Sequence, residues 1–501
     1  MKAASIMEHL LLQKATRDST SKRNKGILRE RIEQWKRGDI HLLTASAKTI
    51  QERLQRPSRS VDPAKIARTF ARMMFTCRTA DAPKLLDDQA EGGRVLPLTR
   101  SLQKTLRELH PDPGEVDDEA LLKGDLPKAN PIIYEDITPS LIETAALRTK
   151  GSHGPSGGDA THWKRMVLSF GKQSARLREA MAGFGKRICT DMEPTVLEAF
   201  LANRLVALDK CPGVRPVGIG ESPRRIIGKG IAMILKMDIE KAAGVHNMCA
   251  GQSAGIEALI HAMTEAYDLM STEAVLLADA SNAFNRLNRK VALHNIRYIC
   301  PSLSTALNNI YGKPTRLFVM GGFELSSQEG TTQGCPLAMA MYALGIIPLI
   351  KEAQTHVPNK QDFQGWLADD SQAVGRLTAL KQWWDVICEK GPRYGYFPKP
   401  GKSYLVVKPD KIDEAKKVFQ GTGVHVVLDA QRDLGAVIGI ESAVNAKLRA
   451  KVSKWASQVK KLAEIAATQP HAAHAAFTFG LRHRWTFLQR AMPPCKTSYS
   501  L

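Results

Sequence analysis

The chain has 501 residues with 71 Lys+Arg against 50 Asp+Glu, a formal net charge of +21. Hydrophobic residues at 43% and charged residues at 24% are ordinary for a globular protein, which excludes global disorder and low-complexity repeats. No window reaches the ~18 apolar residues of a membrane span, the start reads as no secretory signal, and 8 scattered cysteines without a CxxC pair suit a reducing, intracellular compartment, nucleus or cytoplasm.

Residues 1–60 hold 14 Lys+Arg against 6 Asp+Glu, and 441–501 hold 10 against 2, so both ends are basic while acidic positions stand out in the middle. That layout suits a polyanionic partner, most often nucleic acid. ILRERIEQW and AKIARTFARMMF carry apolar residues at helical spacing, so the first 140 residues read as mostly helical. HPDPGEVDDEA (110–120) reads as a break and KGSHGPSGGDATHW (150–163) as a flexible loop, with a boundary between them. Helices dominate 164–267, interrupted by the turn-rich CPGVRPVGIGESP (211–223). EAVLLADASNAF predicts a strand, an acidic turn and a helix capped by Ser281 or Asn282. GTTQGCPLAMAMYALGIIPLI predicts a glycine-rich turn feeding a helix with Pro336 in its first turn. WLADDSQAV predicts a hairpin across an Asp pair, and SYLVV and VHVVL two further strands. In the tail, Leu448, Val452, Trp455, Val459, Leu462 and Ile465 form one stripe on a helix of about six turns. Lys447, Lys451, Lys454, Lys460 and Lys461 occupy its other faces, where they fit either an ordinary surface helix or one lying along a nucleic-acid duplex.

Asp279 alone reads as a helix cap, and Asp369 and Asp370 alone as turn residues. Together they change the reading, because each site ends an apolar strand and the strand ends can meet at one sheet edge. Carboxylates converging there repel one another unless cations neutralise them. Mg²⁺ accepts a few carboxylates and completes its octahedron with phosphate oxygens and water. A pair of such ions about 4 Å apart serves in-line displacement at phosphorus, so the pattern in a strongly basic chain points to nucleotidyl transfer on a nucleic acid. Two alternatives fail. A phosphate-binding P-loop ending at Gly401-Lys402-Ser403 would need glycine where Tyr396 stands and a helix where YLVV is strand-like. Gly218 and Gly220 lack the third glycine of a dinucleotide fingerprint.

Taken in order, these segments resemble the reverse transcriptase family, particularly enzymes of non-LTR retrotransposons, over roughly residues 150–440. LLADASNAFNRLNR looks like motif A, EGTTQGCPLA like motif B and LADD like motif C. YGYFPKPGKSYLVV is similar to the motif that follows, DLGAVIG to the primer-gripping element, VRPVGIGESPRRIIGKGI to the fingers motif and HGPSGGDATHW to the Gly-Pro-rich motif upstream. The resemblance implies that Asp279 and Asp369 hold two Mg²⁺ ions (Mn²⁺ a substitute), with Asp370 auxiliary and the Ala280 carbonyl completing one shell. It implies Phe284 as the steric gate that favours dNTPs, and Gln333 and Gly334 beneath the incoming nucleotide. Arg215, with Lys210 nearby, would clamp the triphosphate; Arg224, Arg225 and Lys229 are further cations that could do so or bind template. Lys402 would be general acid for pyrophosphate. Leu434 and Gly435, with Lys447, Lys451 and Lys454, would grip primer and template. Trp366 and Trp455 fit core and stacking platform equally.

The pattern departs from the family at Leu367, where motif C usually has an aromatic, at Ser371 after the Asp pair, and in the glycine-rich Val217–Gly220. The resemblance implies an α+β right-hand polymerase. A basic helical N-terminal extension (1–149) would precede fingers (150–270), a ferredoxin-like antiparallel palm with helices on one face (271–440) and a helical thumb (441–501). The expected activity is RNA-directed DNA synthesis with an RNA template, a DNA primer and dNTPs, without membrane association and without an RNase H or endonuclease domain after the thumb. Two alternatives stay open: an RNA-dependent RNA polymerase of the same palm class, and a non-catalytic nucleic-acid-binding relic.

Overall fold

The computed structural model describes residues 7, 10–12, 21–54, 73–74, 93, 95–190, 192–210, 213–245, 247–357 and 362–492. The helix expected in AKIARTFARMMF lies, apart from Met73 and Met74, outside them. The strands are β1 Asn203–Asp209, β2 Val214–Gly220, β3 Ala274–Ala278, β4 Thr315–Val319, β5 Phe323–Ser327, β6 Phe363–Leu367, β7 Asp370–Gly375, β8 Tyr404–Val407, β9 His425–Val427, β10 Ala430–Asp433 and β11 Ala436–Gly439. The architecture is α+β, with many helices around two main sheets.

The central sheet has the order β6-β7-β3-β8-β9. β6, β7, β3 and β8 are antiparallel neighbours, and β9 adds in parallel to β8. The expectation of helices on one face is corrected: both faces are covered. On one side Val275 and Leu277 pack with Leu259 and Met263 of the helix Gly255–Asp268. On the other, Ala274, Leu276 and Ala278 join the large core with Trp383 and Leu380 of the helix Leu377–Tyr394. The cause is legible in β3, whose five residues are all apolar and all buried, whereas a strand wet on one face alternates.

A second sheet, of order β2-β1-β4-β5, corrects the reading of 164–267 as helices broken by turns. VRPVGIG is a strand, and β1 runs parallel to β4 with Asn203 opposite Leu317. Leu102 and Leu106 of the helix Arg100–Glu108 pack on this sheet against Leu205 and Leu317. Residues 110–120, read as a break, are tied along the core instead, together with their flanks. Leu109 O accepts from Asn282 and Asn285, Glu115 O accepts from Asn288, and Asn295 bonds both Ala120 O and Leu122 N.

Of the segment 150–163, expected to be a flexible loop, residues 160–163 open the helix Ala160–Leu168 and residues 150–159 are pinned. Arg225 donates to Lys150 O and Ser152 O, and the buried Glu221 accepts from both the backbone and the hydroxyl of Ser156. Two helix starts also differ from expectation. Asn282, at φ 52°, makes no side-chain cap, since its amide donates to Leu109 O. Pro336 precedes the helix Ala338–Gly345 rather than lying in its first turn. The tail stripe is as read: the helix Glu441–Ala466 buries Val444, Leu448, Trp455 and Leu462, the first three against the β10–β11 hairpin and the C-terminal helix Arg482–Ala491. At the N-terminus, helices Ser21–Arg37 and Ile40–Leu54 share a separate apolar cluster through Ile32, Trp35 and Leu43.

Candidate active site

The register of the central sheet decides where the acidic residues meet. Ala278 of β3 pairs with Ser371 of β7, so the next residues outward are Asp279 on one strand and Asp370 on its antiparallel neighbour. β6 and β7 close through a two-residue turn, Ala368-Asp369, with Leu367 opposite Asp370. Ala368 adopts φ 56°, a left-handed backbone that costs a non-glycine residue about 1 kcal/mol and is sustained by the strands on either side. Asp279 is fixed from behind: its carbonyl accepts from Lys399 N at 2.8 Å and its N–H donates to Ser403 Oγ at 3.3 Å. The same bridge takes Ser281 N to Phe397 O, and so uses neither backbone group of Ala280.

These residues border a cavity of about 620 Å³ that is also lined by Lys210, Arg215, Ala280, Phe284, Gln333, Gly334, Lys399 and Lys402. Asp279 and Asp369 line it; Asp370, at the start of β7, does not. Desolvation and then the charge of Asp279 raise the pKa of Asp369, with Lys210 and Arg215 among the opposing influences. Desolvation, then Asp369 and Asp279, push Asp370 up to about 6. The three carboxylates therefore stand close enough to oppose one another's ionisation. Lys402 Nζ lies 3.7 Å from Asp279 Oδ2, a half-exposed ion pair at the cavity wall.

Among the described residues no three His, Cys, Asp or Glu side chains form a closed metal cage. The donors at this edge are two carboxylates and the uncommitted Ala280 carbonyl, all hard oxygens. That set fits Mg²⁺, which is held by few protein ligands and leaves its remaining positions to water and phosphate. Four cations on the walls against two carboxylates make the cavity as a whole receptive to a polyanion.

The glycine-rich departure in β2 has a steric cause. Gly218 N donates to Gln333 O at 2.9 Å, drawing β2 against the loop of Gln333 and Gly334. A Cβ on Gly218 would stand 2.3 Å from Thr332 Cγ2, and one on Gly334, at φ 109°, would stand 2.5 Å from Gly218 O. Two backbones approach here as only glycine allows.

Some expected cations are elsewhere. Arg224 is buried on Leu201 O and Asn203, Arg225 on the 150–152 backbone, and Lys229 on Arg148 O. They brace the fold and line no part of the cavity. Leu434, at φ 45°, and Gly435 form the β10–β11 turn, with Leu434 packed between two apolar clusters. Lys447 and Lys451 donate to Ala430 O and Gly435 O of this hairpin, while Lys454 is exposed. Trp366 and Trp455 are both core: the first is fully buried with its N–H on Gln364, the second packs on Trp485. Leu367 joins the apolar cluster under the helix Gly255–Asp268.

Sequence reasoning missed Lys399, whose only signal was its place in PKPGK, and Ser403, which ties Asp279 N to Lys399 O. It also missed Tyr396, whose hydroxyl bonds Ser371 Oγ at 2.7 Å and Asp369 O at 3.3 Å from behind the turn.

No family model matches the chain, and no curated protein matches it. Among solved structures, apo telomerase of Candida tropicalis truncated from its C-terminal domain is 12% identical over 48% of this chain and 53% of its own, with a TM-score of 0.38. The apo telomerase of the same organism gives 12%, 48%, 47% and 0.37. Telomerase of Candida albicans with a TWJ fragment of telomeric RNA gives 10%, 42%, 43% and 0.33. The chain thus spans about half the length of these proteins at most, and similarity this shallow leaves the activity to be read from the site itself. No helix of the described residues is long and apolar enough to cross a membrane.

Proposed function

We propose that the protein is an RNA-directed DNA polymerase that adds dNMP to a primer 3′-OH, with the central sheet as the palm of a right-hand polymerase, probed best through its metal-binding edge. The observation that carries this reading is the convergence of Asp279 and Asp369 with a phenylalanine, a Gln-Gly turn and four cations around one cavity. Asp279, Asp369 and the Ala280 carbonyl would hold two Mg²⁺ ions, with Asp370 tuning their charge and Mn²⁺ as a substitute. When bound, the ions supply activation of the attacking hydroxyl and charge neutralisation on the departing pyrophosphate. Arg215 and Lys210 hold the triphosphate, the guanidinium fork matching its oxygens. Gly334 lets the nucleotide approach the backbone, and Phe284 faces the sugar and excludes a 2′-OH. Lys402, reaching the cavity beside Asp279, donates a proton to pyrophosphate. The β10–β11 turn and the basic helix after it grip the RNA template and DNA primer. Retroelement ancestry is part of the same reading and is supported by the order of motifs along the chain.

Primer extension on an RNA template with Mg²⁺ and dNTPs tests it, beside Asp369→Asn. Extension by the parent and a loss of at least about 10³-fold in the variant is the expected result. Incorporation of rNTPs but not dNTPs would replace the reading with an RNA polymerase. Salt-sensitive binding of primer–template without extension by the parent would replace it with a non-catalytic binding protein.

A further inference from the structure

Phe284 has a partner that the motif pattern does not contain. Its ring stacks on Tyr342, with centroids 4.9 Å apart and planes 21° from parallel. Tyr342 belongs to the helix Ala338–Gly345, one turn beyond Ala338, which lines the same cavity. It is fully buried, and among the described residues its hydroxyl has no hydrogen-bond partner, a rare condition for a buried polar atom. Burial first, and then the charge of Asp369, raise its pKa well above the ordinary phenol value. One buried ring therefore sits behind the aromatic wall of the cavity.

The unsatisfied hydroxyl narrows what this residue is for. Among the described residues the hydroxyl engages nothing while the ring face engages Phe284, so the feature the fold uses is the flat ring. Packed face to face on Phe284, that ring removes the space into which Phe284 could turn, and side chains in dense cores hold one rotamer for this reason. A smaller or flexible side chain would open a void behind Phe284, and the ring would retreat into it.

We propose that Tyr342 is a specificity-determining positioning residue, which holds the Phe284 ring at the sugar and so sets the preference for deoxyribonucleotides over ribonucleotides. The inference rests on the reading of Phe284 as the sugar-facing wall. Tyr342 touches no substrate; it acts through the ring in front of it.

The test is single-nucleotide extension, comparing kcat/KM for dNTP and rNTP in the parent, Tyr342→Leu, Tyr342→Phe and Phe284→Ala. Tyr342→Leu should raise the rNTP:dNTP ratio about two- to tenfold, the range set by the worth of one aromatic pair. Tyr342→Phe keeps the ring and loses only the unpaired hydroxyl, so its ratio should stay at the parent value. The ratio cancels any loss of folded enzyme, which a merely structural role would produce. Should Tyr342→Leu not fold, Tyr342→Met, whose flexible chain adapts to an irregular gap but has no flat face, carries the same expectation. An unchanged ratio in the Leu or Met variant, with a raised ratio in Phe284→Ala, overturns the role of Tyr342 alone. Unchanged ratios in both overturn the sugar-facing reading of Phe284 as well. A Tyr342→Phe ratio as high as that of the Leu variant would overturn the ring stack as the cause.

Discussion

Replacing Arg289 with Met would remove the charge that anchors the strand-to-loop segment leading to Gln333 and Gly334. Arg289 is 4% exposed and spends its whole guanidinium on that segment. It donates to Gly330 O at 2.9 Å, Ser327 O at 2.9 Å, Ser327 Oγ at 2.8 Å and Glu329 O at 2.8 Å. Its backbone N–H donates to the carboxylate of Glu329, which also accepts from Gly114 N at 2.6 Å. Burial lowers the Arg289 pKa to about 10, so it is charged at neutral pH. Four charge-assisted bonds at about 1.5–3 kcal/mol each set a ceiling of roughly 6–12 kcal/mol. Releasing a buried guanidinium from its desolvation cost returns several kcal/mol, so the net loss should be about 3–5 kcal/mol, the range for breaking a buried charged network. Urea unfolding of the metal-free protein reads this as a fall in midpoint at unchanged slope. Because the loop continues into Gln333, the folded fraction should also show a raised KM for dNTP. Arg289→Lys restores charge without the fork and should recover only part of the loss. A loss below about 1 kcal/mol would refute the view that this network holds the loop.

Asp433 offers a pH test. It is 6% exposed and accepts from Gln372; desolvation and then Asp370 push its pKa up to about 7. A carboxyl that binds its proton more tightly folded than unfolded stabilises the native state below that pKa and loses this contribution as pH rises through about 7. Unfolding free energies of the metal-free parent, from urea titrations, should therefore fall between pH 5.5 and 8.5 by about 2 kcal/mol more than those of Asp433→Asn, which keeps the Gln372 bond; equal pH slopes would refute this. Gly334→Ala places a Cβ 2.5 Å from Gly218 O and should raise the dNTP KM at least about tenfold; unchanged KM would show that β2 can yield.

How much of this was legible depended on how local each signal was. β3, the Asp hairpin and the stripe of the helix Glu441–Ala466 are written in residues that are neighbours in the chain, and all three stand as read. β2 was hidden by the residues that suit it to its place: Pro216 and two glycines depress strand signal, yet Gly218 is what admits the loop of Gln333. β1 and β4 pair in parallel across a long stretch of chain, which no local pattern announces. The loop 150–159 looked flexible because its composition is that of a loop; Arg225, Glu221 and Arg204 hold it from distant positions.

The sequence by itself singled out the candidate residues and their order, because carboxylates, a Gln-Gly turn and an aromatic at those spacings are a local pattern. Only the tertiary structure decided what each of them faces. It placed Asp279 beside Asp370 through the register of two strands, and it divided the arginines into one at the cavity and two spent on backbone carbonyls. It also set Tyr342 behind Phe284. Those outcomes follow from long-range packing and hydrogen bonding, where identical side chains differ only by the partners that the fold brings to them.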